Sequence, residues 1–241
     1  MPDGTTRFRG REMLQSELPE RNAFPQSLAC LVWGGGGHGK VVADLIYALG
    51  HQLVGFIDAD PGKLGETVEP CGACVVLTEH EFLASHARHG SLPPGVDRVV
   101  LAIGDNRARH AALGHARAFM PVLIHPSCTV SASARIGAGT VVFPHAVINA
   151  AARIADGVIV NTGAIIEHDC RVAAAVHISP GAVVAGGVTV GERTWIGANA
   201  TVIQGIRIGS DAIVGAGAVV IRDVPDAVTV AGVPARVVRG G

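Results

Sequence analysis

The groups best suited to chemistry lie in one run, Asn161-Thr-Gly-Ala-Ile-Ile-Glu167-His168-Asp169-Cys170. Glu167, His168 and Asp169 put three polar side chains in a row. A histidine beside a carboxylate is a general-base arrangement, because the carboxylate fixes the imidazole tautomer and raises its basicity. Such a base suits attack of an amine or hydroxyl on a thioester. Asp169 is the nearest orienting group. Adjacent residues do not always touch, so Glu167 or a carboxylate from another chain remains open. The plain alternative is a surface His-Asp pair. His177 lies nine residues on and is a candidate to face the same site across an interface. His125 and His145 read as loop or interface residues, and Cys170 as a small core residue rather than a nucleophile.

A second candidate is the turn Gly34-Gly35-Gly36-Gly37-His38-Gly39-Lys40. It satisfies G-x-G-x-x-G, and Asp58 follows about twenty residues later, as a dinucleotide fingerprint asks. Backbone N–H groups at a helix N-terminus attract phosphate. The phosphate loop G-x-x-x-x-G-K-[ST] fails because Val41 replaces the magnesium-binding hydroxyl. Nothing downstream supplies a second nucleotide-binding half, so a nucleotide linked to another group fits better than NAD. An NAD-dependent oxidoreductase stays as the reading of the fingerprint alone, and a ligand-free tight turn as the bland one. His38 would donate to a phosphate or sugar hydroxyl, or simply face water. Gly104, Asp105 and Asn106 end a later strand and join this pocket by topology. Cys71-Gly-Ala-Cys74 is a lone CxxC with no second pair, so no metal site is expected.

These residues need two kinds of scaffold. From Val130, every sixth residue to Val220 is Val or Ile, without a slip. A helix would need a 3.6 period and a strand 2.0; a strict period of six is the hexapeptide β-helix repeat. Each hexad is a short strand and a turn, and three close a triangular coil. The β-branched residue points inward, where its stiff χ1 and extended backbone suit it. Two residues earlier stands a second inward position, usually compact, as at Ala134, Thr140, Ala164, Cys170, Thr194 and Ala218. The residue after the aliphatic one is often glycine, as at Gly137, Gly191, Gly197, Gly209 and Gly215, and is expected to serve the turn backbone. About five coils at roughly 4.8 Å each are expected.

Ahead of the repeat, strands are expected at residues 29–33, 53–57, 74–77, 98–103 and 121–124, and helices at 41–49, 79–88 and 105–118. Strand and helix alternate, so the sheet is parallel. The fold class is therefore a Rossmann-like half domain of the α/β class followed by an all-β parallel β-helix. The expected division is an extension over 1–28, the α/β domain over 29–124, the β-helix over 125–223 and a tail over 224–241.

Composition agrees. Only 4% of the 241 residues are aromatic while 49% are hydrophobic, which suits a core of small β-branched side chains. A net charge of −1 speaks against a nucleic-acid or membrane surface. With no spanning run, no secretory segment and five cysteines, a reducing, cytoplasmic setting is expected.

The segments GGGGHGKVVADL, LIHPSCTVSASARIG, VNTGAIIEHDCRV with VHISPGA, and AGVPARVV together resemble the sugar O/N-acyltransferases of the left-handed β-helix superfamily. That group includes sialic acid O-acetyltransferases and PglD-like nucleotide-aminosugar N-acetyltransferases. The resemblance runs from about residue 31 to residue 238. It implies a left-handed coil, a homotrimer and acetyl-CoA between neighbouring prisms. It also implies His168 as general base with Asp169 supporting it, and acetyl-CoA contacts at His177, Gly186, Ala198 and Ala216. The nucleotide-sugar site is implied at Gly36, Gly37, His38, Asp58, Ala59, Gly104 and Asn161. Ala59 stands where some members carry a second acid. The activity expected is acetyl transfer to the amine of a nucleotide-linked amino sugar, with O-acetylation of a sugar hydroxyl as the alternative.

Overall fold

A computed structural model describes residues 27–239. All but the end of the extension expected over 1–28 lies outside the described residues.

The first unit runs β1 (Ala29–Trp33), α1 (Gly37–Ala48), β2 (Gln52–Asp58), β3 (Thr67–Val68), β4 (Ala73–Thr78), α2 (Glu79–His89), β5 (Arg98–Leu101) and α3 (Asn106–Ala116). The sheet order is β3-β4-β2-β1-β5. All pairs are parallel except β3 with β4. Cys30 to Trp33 are all buried, as a central parallel strand covered on both faces requires. The chain leaves β1 toward β2 on one side and reaches β5 on the other. The crevice beyond the carboxyl ends of β1 and β5 is thus a topological switch point, where ligands enter open α/β sheets.

Three details differ from expectation. Helix α1 begins at Gly37 with Gly36 as its N-cap, so Gly37 and His38 belong to its first turn. Gly34 takes the tight bend at φ 124°, where a Cβ would stand 2.6 Å from the Ala102 carbonyl oxygen. The short antiparallel β3 was not anticipated. The strand expected at 121–124 forms at Leu123–Ile124 but pairs with Val141–Val142, so it is a rung of the β-helix.

The second unit is the three-sided parallel β-helix. Two-residue strands pair with those eighteen residues on, as Val147 with Ile165 and Ile165 with Val183. From Val142 to Val220 every member of the aliphatic series is buried, while Val130 and Ile136 at the open first coil are partly buried. Thr140 and Thr194 are also fully buried, each donating its hydroxyl to a carbonyl, Ala155 O and Gly209 O. The prism is taller than five coils: one face holds parallel rungs from Leu123–Ile124 through Thr229–Ala231, and Arg236–Arg239 closes it antiparallel.

The expectation for the glycines after the aliphatic residue is corrected. The left-handed backbone recurs three residues after it, at His145, Ala151, Gly163, Asp169, Ala175 and onward to Gly217. Gly197 has no such φ; a Cβ there would lie 2.6 Å from Ala216 N in the next coil. Glycine at that slot serves close approach of stacked backbones, not turn geometry.

The three faces differ in their outward columns. One carries Val141, Ile159, His177, Trp195 and Ile213 and packs its early rungs into the α/β core through Leu123, Val141, Phe143 and Ile159. The second is mainly aliphatic, with Val147, Ile165, Val183 and Val219 and the threonines Thr129 and Thr201. The third carries exposed Arg135, Arg153, Arg171 and Arg207.

Candidate active site

His168 and Asp169 stand on the corner between the aliphatic and arginine faces. Asp169 fills the left-handed slot at φ 60°, a conformation aspartate tolerates better than most residues. This bend brings its Oδ2 to 2.8 Å from His168 Nδ1. A carboxylate only accepts, so Nδ1 carries the proton and Nε2 is left as the basic nitrogen. The hydrogen bond to Asp169 holds the imidazole above its ordinary pKa, against the opposing effect of desolvation. Glu167 is used elsewhere: it accepts from His168 N at 3.2 Å and from Asn149 Nδ2 at 2.8 Å. Of the two carboxylates, Asp169 is the one on the ring.

Gly186 lies one coil on from His168. A Cβ there would be 2.6 Å from His168 Nε2 and 2.7 Å from Cε1. The bare glycine leaves the basic nitrogen room. Cys170 is fully buried, with its thiol against Val184 O and Ala185 O, and burial raises its pKa. It is a core residue.

A second cluster lies where the prism meets the α/β unit. His38, in the first turn of α1, sets its ring 5.4 Å from Phe143 and 6.5 Å from His177. Its Nε2 is buried with no hydrogen-bond partner. His177 stacks on Trp195 at 5.8 Å, nearly parallel, and its Nε2 is 3.1 Å from Asn161 Nδ2. Trp195 is itself pinned by a 2.6 Å bond to Ser179 Oγ. Burial first, then the Arg109 charge, pushes His38 down to about 4 and His177 to about 3. Both imidazoles are neutral near pH 7.

Gly36, Gly37 and Gly104 border this cluster at the carboxyl ends of β1 and β5, and a Cβ at any of them would meet nothing within 4 Å. They face open space, as a ligand-bearing rim would. Asp58 is buried and already engaged: Oδ2 accepts from Gly35 N and Lys63 Nζ, both at 3.1 Å, and Oδ1 from Asp60 N at 3.0 Å. Burial alone would raise its pKa; these bonds outweigh it and hold the carboxylate ionised. Asp58 organises the turn, and Ala59 beside it is exposed.

Within one chain the expected residues thus form separate groups. His168 and Gly186 share one corner. His177 and Asn161 touch each other and approach His38. Ala198 and Ala216 lie one coil apart on the corner between the α/β-covered and aliphatic faces, joined by the bond from Gly217 N to Ala198 O at 2.8 Å. No group of three or more His, Cys, Asp or Glu that could hold a metal occurs among the described residues, and no helix among them is long and apolar enough to cross a membrane.

Two residues of this region escape a motif search. Arg109 is buried at the base of the second cluster, and Trp195 forms its wall. Arg109 occupies the first place of the buried stripe Arg109, Ala112, Leu113, Ala116 on α3, so the helical period itself marks it as inward. Trp195 sits eighteen residues after His177, which becomes meaningful once the coil length is known.

Comparison with known proteins agrees with this geometry. The PglD N-terminal domain family matches residues 30–115, and the hexapeptide repeat of succinyl-transferase matches residues 187–222. No curated protein matches. Among solved structures, a His-to-Asn variant of perosamine N-acetyltransferase from Caulobacter crescentus, in complex with CoA and GDP-perosamine, is 41% identical. The match covers 90% of this chain and 100% of that one, with a TM-score of 0.78. The acetyltransferase domain of PglB from Neisseria gonorrhoeae in complex with acetyl coenzyme A is 42% identical over 88% and 100% of the two chains, also at 0.78. WeeI from Acinetobacter baumannii is 27% identical over 88% and 100%, at 0.75. The oxidoreductase reading of the glycine fingerprint falls with these matches, and N-acetylation is preferred over O-acetylation. With an α/β unit leading into a left-handed β-helix, and with this identity over the full length of its relatives, the chain belongs to the family of acetyl-CoA-dependent nucleotide-aminosugar N-acetyltransferases.

Proposed function

We propose that this protein transfers acetyl from acetyl-CoA to the amine of a nucleoside-diphosphate-linked 4-amino-4,6-dideoxy sugar, with His168 as general base. The observation that carries the assignment of the base is the exposed His168–Asp169 pair with Gly186 clearing space at Nε2. The sugar amine attacks the thioester carbonyl carbon. His168 Nε2 takes the amine proton, the C–S bond breaks as the C–N bond is completed, and the proton passes to the departing CoA sulfur. Asp169 stabilises the imidazolium meanwhile.

The nucleotide sugar is assigned to the crevice at Gly36, Gly37, His38, Asp58, Ala59, Gly104 and Asn161, which lies at the switch point of the sheet. Acetyl-CoA is assigned to Gly186, His177, Ala198 and Ala216. Gly186, beside His168, and the pair Ala198 and Ala216 border the aliphatic face on opposite corners. A threefold assembly packed on that face places the His168 corner of one copy beside the Ala198 and Ala216 corner of the next. The active site is then shared between copies of a homotrimer, and the setting is cytoplasmic.

The test is thiol release from acetyl-CoA with GDP-perosamine, with UDP-4-amino-4,6-dideoxy sugars and with sialic acid, for the wild type and His168→Ala. Turnover on an amino sugar that falls about a hundredfold or more in the variant supports the reading. Turnover on sialic acid alone, or a variant as fast as the wild type, refutes it.

A further inference from the structure

We infer that Arg109 is a positioning residue: its guanidinium fixes the ligand end of the α/β sheet against the coil that carries His177. The inference rests on the reading that the crevice at His38 and Gly104 takes the nucleotide sugar.

Arg109 is 1% exposed. Nη1 donates to Ile103 O at 2.9 Å and Gly104 O at 3.1 Å, just beyond β5. Nε donates to Gly157 O at 2.8 Å, and Nη2 to Ala175 O at 2.8 Å, with a longer contact to Val176 O at 3.4 Å. Nη2 also meets Asn106 Oδ1 at 2.6 Å. One planar fork therefore ties the rim of the sugar crevice to two successive coils, the second ending at the residue before His177. Asn106 repeats the tie, donating to Arg193 O at 2.9 Å and Thr194 O at 3.2 Å in a third coil.

No carboxylate is among these hydrogen-bond partners. A buried cation held only by neutral oxygens is costly compared with an apolar side chain. The guanidinium is not the sole anchor of α3: Leu113 on the helix and Met120 after it also pack on the coils at Gly157 and Gly139. Lysine cannot replace it, because one ammonium lacks the divergent fork that reaches three chain segments. What the guanidinium adds is a fixed distance between Gly104 and His177, together with a positive charge behind both imidazoles. His38 is faced by Arg109, His177 and the Phe143 ring; His177 by Arg109, His38, Asn161 and Trp195.

The experiment uses the full chain as wild type, Arg109→Gln, Arg109→Lys and Asn106→Ala. Each is assayed with GDP-perosamine and acetyl-CoA, and His38 and His177 are titrated by NMR. In both Arg109 variants KM for the nucleotide sugar should rise about tenfold or more, and KM for acetyl-CoA, which His177 also serves in the proposed site, by clearly less. In Arg109→Gln the two histidines should titrate at higher pH than in the wild type, and Arg109→Lys should keep them low without restoring KM. Unchanged KM for the sugar overturns the proposal, as does an equal rise in both constants that follows the loss of thermal stability. If the Arg109 variants do not fold, Asn106→Ala decides: a rise of about threefold in the sugar KM alone supports the proposal, and no rise overturns it. A wild type inactive on every nucleotide amino sugar refutes the functional reading instead. The histidine titrations of Arg109→Gln, or failing it of Asn106→Ala against the wild type, then judge Arg109, and unshifted values overturn its role.

Discussion

The missing side chain of Gly186 and the Nε2 of His168 occupy adjoining space across one coil of the β-helix. A Cβ at Gly186 would stand 2.6 Å from that nitrogen. His168 is largely exposed, with 62% of its side chain accessible, so the ring rather than the backbone would give way.

Gly186→Ala should therefore fold normally and act poorly. Its φ is not among the left-handed values of the chain, so alanine suits the backbone. The displaced imidazole no longer meets the amine, and kcat should fall about a hundredfold, the size of a lost general base. Thermal unfolding of the variant should match the wild type. A variant that keeps full activity would show that Nε2 is not the proton acceptor.

Asp169→Asn tests the other nitrogen. Asparagine tolerates the left-handed slot, so the turn should survive. The amide oxygen can still accept from Nδ1–H but no longer carries charge. The charge-assisted hydrogen bond that chiefly raises the His168 pKa is thereby replaced by a weaker, neutral one, and the charge of Asp169 is gone. The base works in its neutral form, so the rate rises with pH through that pKa. The acid limb of kcat should shift to lower pH in the variant, with a plateau lower by about tenfold or more as the imidazolium loses its counter-charge. An unshifted acid limb would detach Asp169 from the base.

The register of the β-helix was legible because its inward positions demand one residue type, and Val142 through Val220 obey without exception. The left-handed turn slots were harder to see, because glycine fills some of them, as at Gly163, Gly187 and Gly217, while His145, Ala151, Asp169, Arg193 and Asn199 fill others. His168 and Asp169 stood out as a polar run, but their contact depends on that hidden bend. The pairing of Asn161 with His177 and of His177 with Trp195 joins residues sixteen to eighteen apart, which only the closed coil brings together. Arg109 was concealed by its type, since an arginine on a helix is ordinarily a surface residue.

The corrected role of the second glycine series gives a stability prediction. Gly197→Ala puts a Cβ 2.6 Å from Ala216 N and from Val214 O, both backbone atoms of the next coil. Neither can swing aside, so the coils must part. The cost should be about 1–3 kcal/mol, typical of overpacking a close-packed interior. Gly163→Ala, with nothing within 4 Å but φ 65°, should lose stability through backbone strain by about 1 kcal/mol. Denaturant unfolding of the two variants separates steric stacking from turn geometry. Equal stability of Gly197→Ala and the wild type would contradict the stacking role.

The neutral histidines make the fold acid-sensitive in a defined window. His38 and His177 are held near pKa 4 and 3 in the folded chain, against 6.5 as the ordinary value. The unfolded chain therefore binds more protons than the folded one between these limits. Stability rises with pH wherever that holds, so the contribution of the pair is fully present above about pH 6.5. It is lost progressively as pH falls toward 4 and then 3. Unfolding free energy measured by denaturant at fixed ionic strength should decline from pH 6.5 to 4, with proton uptake on unfolding. His177→Asn removes one of the two titrating groups while leaving a polar side chain beside Asn161. Its stability should fall less steeply over the same range, even if it is lower at pH 7. Parallel pH curves for this variant and the wild type would mean that His177 carries the same charge in both states.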